Sequence, residues 1–256
     1  MIGIIGGTGV YDPSIVKNAK QVKVDTPYGN PSDMITVGEI AGKKVAFLPR
    51  HGSGHTIPPH KVNWRANIWA LKELGCDRVL ATCASGSLRM DYKPGDVVVV
   101  DQFIDWSKSV HTFYDESPFY HVSMADPFCS ELRAHLIKAA KQISITAHEK
   151  GTYLRIEGPQ LSTRAASRMY KTFADLIGMT VVPEAILCRE KEMCFAIIAT
   201  ITDYDVWAEK PVRFDEVKKV ASENIKHTKN IIMKTISSLP EERSCECKNA
   251  LKGADA

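Results

Sequence analysis

No stretch of this sequence approaches the roughly 18 consecutive apolar residues that a membrane-spanning helix needs, which excludes a helical membrane protein. An excess of charge of one sign is nearly absent as well. The 33 Lys and Arg residues against 30 Asp and Glu leave +3, spread over both halves, and a polyanion partner such as nucleic acid calls for a concentrated basic patch. The segment Met1-Ile2-Gly3-Ile4-Ile5-Gly6-Gly7 lacks a basic region and runs into glycines too early for a signal peptide, so a cytoplasmic location is expected. A linker rich in Pro, Gly or Ser is missing, as is any internal repeat, which leaves one domain over residues 1–240 and a polar tail over 241–256. With 44% hydrophobic and 25% charged residues the composition is that of an ordinary globule. Only cysteine stands out, at seven residues.

Short apolar runs predict strands at 2–5, 34–37, 44–48, 78–82, 96–101, 152–156, 176–179 and 194–202. Several lack alternation, as strands covered on both faces do. Helical patterns fall between them at 62–74, 130–144, 163–173, 183–192 and 214–238; in the last, Val217, Val220, Ile225, Ile232 and Ile236 recur at helical spacing. Strands alternating with helices over the whole length predict a single-domain α/β fold, a mixed or parallel sheet flanked by helices. Residues 103–127, rich in aromatics and turn formers, read as a long loop, and loops of that length tend to be functional.

Four strand ends carry candidate chemistry. Gly6-Gly7-Thr8-Gly9 offers free amides and a hydroxyl to an anion, or only a tight turn. It is no P-loop, since no Gly-Lys-Ser/Thr follows, and the third glycine of a dinucleotide fingerprint is replaced by Asp12. Arg50 follows an apolar strand, where α/β folds place ligands, and its guanidinium suits phosphate or carboxylate. His51, His55 and His60 lie nearby, but the Gly and Pro content excludes a helix holding His51 and His55 on one face, and no carboxylate or cysteine completes a metal set. Thr82-Cys83-Ala84-Ser85-Gly86-Ser87 can surround a phosphate or a sugar, or simply permit close packing; no base partner for Cys83 is apparent. Thr202-Asp203-Tyr204-Asp205 carries two carboxylates that can accept from an amino group, or donate a proton if burial raises a pKa. Converging on one sheet edge, these four ends describe a site for a small molecule with an anion at one end and a hydrogen-bonding heterocycle at the other.

In order along residues 2–238, these motifs resemble the trimeric purine nucleoside phosphorylase superfamily, its methylthioadenosine phosphorylase branch most closely. Further matching segments are Val24-Asp25-Thr26-Pro27-Tyr28-Gly29, Val62-Asn63-Trp64-Arg65, Gly86-Ser87-Leu88-Arg89, Glu157-Gly158-Pro159, Met179-Thr180 and Val182-Pro183-Glu184. The resemblance implies phosphorolysis of S-methyl-5′-thioadenosine by inorganic phosphate, with no metal or organic cofactor, in homotrimers or paired trimers. A general purine nucleoside phosphorylase acting on inosine, guanosine and adenosine is the alternative within the family; a nucleotide-binding oxidoreductase and a non-catalytic nucleoside sensor are the alternatives outside it. By family position, Thr8, Arg50, His51, Cys83, Ala84 and Thr180 look like the phosphate cradle, Ala84 and Thr180 partly through backbone amides. Met179 looks like the residue beside the ribose, Asp203 and Asp205 like the purine readers with Asp203 the catalytic acid, and Leu161 occupies the base-stacking position. His121 looks like a residue given to the neighbouring subunit's 5′ pocket, and Val217 like part of the methylthio pocket.

Two positions depart from the family pattern: Cys83 stands where Thr is usual and Leu161 where Phe is usual, and both loosen the expected substrate range. Some heat-adapted relatives carry disulfides, one of them across a C-x-C. The resemblance therefore implies that Cys129 pairs with Cys194 and that Cys245 and Cys247 pair with each other or with Cys188; seven free thiols is the alternative.

Overall fold

A computed structural model describes residues 1–7, 15–143, 145–208 and 211–255, with nothing said of the side chain of Phe214. Thr8 lies outside the described residues. The apolar opening run forms β1 (Ile2–Gly6), central and fully buried. It pairs in parallel with β4 (Lys43–Pro49) on one side and β5 (Arg78–Ser87) on the other. Beyond β4 come β3 (Ile35–Ile40) and the edge strand β2 (Lys17–Val22), both antiparallel.

β5 has two sets of partners. Along most of its length it pairs in parallel with β11 (Cys194–Asp203), and its far end turns to pair antiparallel with β10 (Leu176–Gly178). β9 (Thr152–Arg155) and β7 (Gln102–Asp105) extend the sheet past β10, while β6 (Val97–Val99) and β8 (Ala147–His148) continue from β11. Two expectations from the sequence are corrected by this topology. Residues 83–87 belong to β5 rather than to a loop after it, and the predicted loop begins only after β7.

Helices cover both faces, as the uninterrupted apolar strands require. On one face lie α1 (Trp64–Glu73) and α4 (Val182–Glu190), contributing Ile68, Leu71, Ala185 and Leu187 to one core cluster. On the other lie α2 (Ser130–Lys141) and α5 (Phe214–Ser238), contributing Leu132, Leu136, Ile232 and Ile236 to a second. The short α3 (Arg164–Tyr170) sits beside a third, smaller cluster with Leu88 and Ile177. Side-chain caps start three of these helices: Asn63 accepts from the Ala66 amide, Cys129 from Leu132 and Thr163 from Ala166. No helix among the described residues is long and apolar enough to cross a membrane.

The polar tail is not peripheral. Cys247 is buried, and Glu131 accepts from both the amide and the hydroxyl of Ser244, at 2.8 and 2.6 Å. Arg243 donates to the Glu192 carbonyl at 2.9 Å, and Arg78 to that of Glu241 at 3.2 Å. Charged side chains thus dock a segment whose polarity made it look solvated.

Candidate active site

β4, β5, β10 and β11 deliver their ends to one cavity of about 400 Å³. Of the residues singled out from sequence, Arg50, His51, Cys83, Ala84, Leu161, Met179, Thr180, Asp203, Asp205 and Val217 all line it. His121 does not; its segment is tied instead to the C-terminal tail, its amide donating to the Ala254 carbonyl at 2.7 Å.

One end of the cavity is built around Arg50, which is only 1% exposed. Its Nε and Nη2 donate to both oxygens of Glu184 at 2.5 and 2.8 Å, and Nη1 donates to the Thr82 carbonyl at 2.7 Å. Glu184, itself 1% exposed, went unassigned in the sequence. Burial works against the Arg50 charge, and the Glu184 carboxylate more than offsets it, holding the guanidinium above its ordinary value. Among the described residues three of its five N–H groups are used, which leaves two to offer a ligand. Gly7 makes room for this geometry: a Cβ there would lie 2.5 Å from the Thr82 oxygen and 2.7 Å from Arg50 Nη1.

His51 sits beside Arg50, with Nδ1 2.8 Å from the Ile57 carbonyl oxygen. Burial and the Arg50 charge push its pKa down to about 4. The neutral ring therefore carries its hydrogen on Nδ1, donated to that carbonyl, and leaves Nε2 as an acceptor. An acceptor beside an arginine suits a ligand anion that still bears a P–OH. Burial pushes the Cys83 thiol up to about 11, and its sulfur lies 3.3 Å from the Ser85 hydroxyl, so it stays a thiol. The Thr180 amide, offered from sequence as an anion donor, instead donates to the Tyr153 hydroxyl at 3.2 Å.

Between these residues and α4 stands Val181, with φ 71° and ψ −59°. The Val182 amide closes a tight turn on the Thr180 carbonyl at 2.7 Å. A β-branched residue in that region stores about 1–3 kcal/mol of strain, held in place by complete burial of its side chain. The turn presents Met179 and Thr180 to the cavity. Gly158 accommodates Met179 from the other side, since a Cβ there would lie 2.4 Å from the Met179 sulfur.

The opposite end holds the two aspartates, at the tip of β11. Asp203 Oδ1 accepts from the Asp205 amide at 2.7 Å, and Oδ2 lies 2.8 Å from the Thr202 hydroxyl. That hydroxyl also lies 3.2 Å from the Ser85 carbonyl. Its single hydrogen is shared between the Asp203 oxygen, the nearer acceptor, and that carbonyl. Burial, seconded by the Asp205 charge, raises the Asp203 pKa against the pull of these hydrogen bonds. Asp205 is buried, and its Oδ2 has no partner among the described residues. An orphaned carboxylate oxygen on a cavity wall awaits a ligand donor. The wall between the two ends is apolar, formed by Ile177, Val212, Val217 and Leu161, the last 46% exposed at the mouth.

A cavity with an arginine–histidine end, a protonatable aspartate end and an apolar middle, set at strand ends of a mixed α/β sheet, is the kind in which a nucleoside meets an anion. Comparison with known proteins agrees: residues 1–237 match the model of the phosphorylase superfamily, and the chain belongs to that family. These enzymes are pentosyltransferases. The chain is 59% identical over 255 residues to the S-methyl-5′-thioadenosine phosphorylase of Thermofilum pendens, covering 99% of this chain and 97% of that one. It superposes with a TM-score of 0.94 and 42% identity on a methylthioadenosine phosphorylase sourced from an antarctic soil metagenomic library, covering 100% and 92% of the two chains. A TM-score of 0.90 and 38% identity relate it to the methylthioadenosine phosphorylase of Schistosoma mansoni in complex with adenine, covering 94% and 92%.

Proposed function

We infer that the protein catalyses the phosphorolysis of S-methyl-5′-thioadenosine to adenine and 5-methylthioribose 1-phosphate. The observation that carries this reading is the polarity of the cavity: anion donors at one end, a protonatable Asp203 and an orphaned Asp205 oxygen at the other. Arg50 and His51 hold the phosphate, with Cys83, Ala84 and Thr180 around it. A phosphate oxygen bonds to C1′ as the C1′–N9 pair of electrons leaves with the purine. Positive charge developing on the sugar is stabilised by the anion fixed beside it. Asp203 gives its proton to N7, so the purine departs neutral. Asp205 Oδ2 accepts from the 6-amino group, which a 6-oxo purine lacks. Met179 lies along the ribose, and Val217 with Val212 takes the methylthio group. No metal or organic cofactor enters the scheme. Incubation with S-methyl-5′-thioadenosine tests it: adenine is released only when phosphate is present, and release without phosphate would make the protein a hydrolase.

With Leu161 at the base-stacking position and half exposed, adenosine and, more weakly, inosine and guanosine are also accepted. Leu161→Phe is expected to lower KM for S-methyl-5′-thioadenosine about five- to tenfold, about 1 kcal/mol of ring stacking, and to widen its margin over inosine. An unchanged ratio of kcat/KM values for the two nucleosides would remove Leu161 from the stacking position.

The pH profile follows from the acid. Phosphorolysis requires protonated Asp203, so kcat falls as pH rises through its raised pKa. The Thr202 hydrogen bond favours the carboxylate. Thr202→Val therefore pushes the pKa further up, and the alkaline limb of the kcat profile moves to higher pH. A limb that stays put or moves down would show that another group sets it.

His121 lies outside its own cavity, which supports its donation to a neighbour in a trimer, single or paired. Exposed Trp106 and Phe173, their ring centroids 5.8 Å apart, are a ready interface patch. Sedimentation equilibrium reads the assembly; a monomer with full activity would end this view of His121.

A further inference from the structure

We propose that Cys129, Cys194, Cys245 and Cys247 form a tetrathiolate site for one thiophilic divalent cation of the Zn²⁺ class, which fastens the C-terminal segment to the sheet. Their four sulfurs all lie within 4.8 Å of one another. They come from three separate places in the fold: Cys129 caps α2, Cys194 opens β11, and Cys245 and Cys247 come from the docked tail. Tetrahedral coordination at Zn–S of about 2.3 Å sets sulfurs roughly 3.8 Å apart, a spacing that small adjustments of this quartet reach. A sulfur–sulfur approach of 3.2 Å joins Cys194 to Cys245, and Cys129 with Cys194 and Cys245 with Cys247 are in side-chain contact too, so the sulfurs form one cluster rather than two separate pairs. All seven cysteines are thiols in the structure, and Cys188 is not in the quartet.

The surroundings fit the charge such a site would carry. Binding releases four thiol protons and leaves a dication with four thiolates, net 2−. Two guanidiniums stand against the sulfurs: Arg243 Nη1 is 3.9 Å from Cys194 and Arg189 Nη1 is 4.0 Å from Cys247. The Leu132 amide adds a donor to Cys129 at 3.5 Å. Two positive charges and an amide directed at sulfur are the outer shell that a tetrathiolate needs. Cys129, Cys194 and Cys247 are buried and Cys245 is half-buried.

The position of the quartet gives it a consequence. Beyond Cys247 the tail runs to Ala254, whose carbonyl takes the His121 amide, and Asp255 bridges Tyr120. Holding the tail thus holds the segment that carries His121.

The test uses the whole enzyme, reduced with a phosphine under anaerobic, metal-free conditions and titrated with Co²⁺. Saturation is expected at one ion per chain with the intense absorption of a tetrahedral cobalt thiolate, bleached when Zn²⁺ is added. Cys188→Ala should titrate like the parent, and Cys245→Ser with Cys247→Ser should lose the thiolate spectrum. Zinc at one per chain in enzyme purified without chelator, and a fall in Tm of about 10 °C on stripping it, are the companion results. If the double variant does not fold, the parent titration decides alone. Absence of a cobalt thiolate spectrum in the reduced parent overturns the proposal. So does a metal-free purified enzyme with only three free thiols in denaturant before reduction and seven after, which would mean that the quartet is two disulfides.

Discussion

Asp203→Asn is expected to lower kcat/KM on S-methyl-5′-thioadenosine by about 10²–10⁴-fold, about 2.7–5.5 kcal/mol of transition-state stabilisation. The replacement is almost silent structurally. Asparagine Oδ1 still accepts from the Asp205 amide, and Nδ2 donates to the Thr202 hydroxyl, which donates on to the Ser85 carbonyl. Only the transferable proton is lost. On inosine the fall should be smaller, because the amide can donate to a 6-oxo group. Stability moves the other way. Since the folded state raises the Asp203 pKa, the proton contributes stability that is present below the unfolded value and lost as pH rises through the folded one. Asparagine carries no charge to bury, so its Tm should match the parent near pH 4 and equal or exceed it at pH 8. Calorimetry at both pH values, beside kinetics on the two nucleosides, checks both halves. A rate loss under tenfold, or an equal loss on both substrates, would place the acid elsewhere.

The parts of this architecture legible in the sequence are those where one physical effect dominates. Unbroken apolar runs marked β1, β4 and β11 because both faces of those strands are covered, and the ends of these strands carried recognisable chemistry. β2 escaped because it is an exposed edge: Lys17, Lys20 and Gln21 give no alternation, and its pairing with β3 is carried by the backbone. The far half of β5 escaped because Cys83, Ala84, Ser85 and Gly86 are small. Smallness there serves the cavity and the close approach of β10 and β11, yet it imitates a loop. The docked tail was invisible for a different reason: its partners Asp77, Glu131 and Glu192 lie scattered along the chain, far from the segment they hold. Glu184 is the most instructive omission. Its partner is 134 residues away, and the one local sign was an acid among Val182, Pro183, Ala185 and Leu187 at the start of an apolar helix. A carboxylate placed where a helix is otherwise buried implies a buried cation, and Arg50 was already suspect.

Glu184→Gln puts that pairing to the test and should destabilise the fold far more than its conservative chemistry suggests. The amide fits the space, but the Arg50 charge is left buried without its counter-ion. Breaking one side of such a pair costs about 3–5 kcal/mol, which at about 2–4 °C per kcal/mol lowers Tm by roughly 6–20 °C for a chain of this size. Phosphate should change the result. In the parent, Glu184 neutralises Arg50 and the anion binds to the two remaining N–H groups; in the variant the anion becomes the counter-ion itself. The rise in Tm on adding saturating phosphate should therefore be larger for the variant than for the parent, since ligand that binds only the folded state stabilises by RT ln(1 + [L]/Kd). KM for phosphate and kcat then separate two effects. A guanidinium released from its Glu184 clamp holds phosphate in a less fixed geometry, so kcat falls even where phosphate affinity rises. A Tm within about 3 °C of the parent, or identical phosphate shifts in both proteins, would mean that the Arg50 charge is compensated by other groups and that Glu184 only fills space.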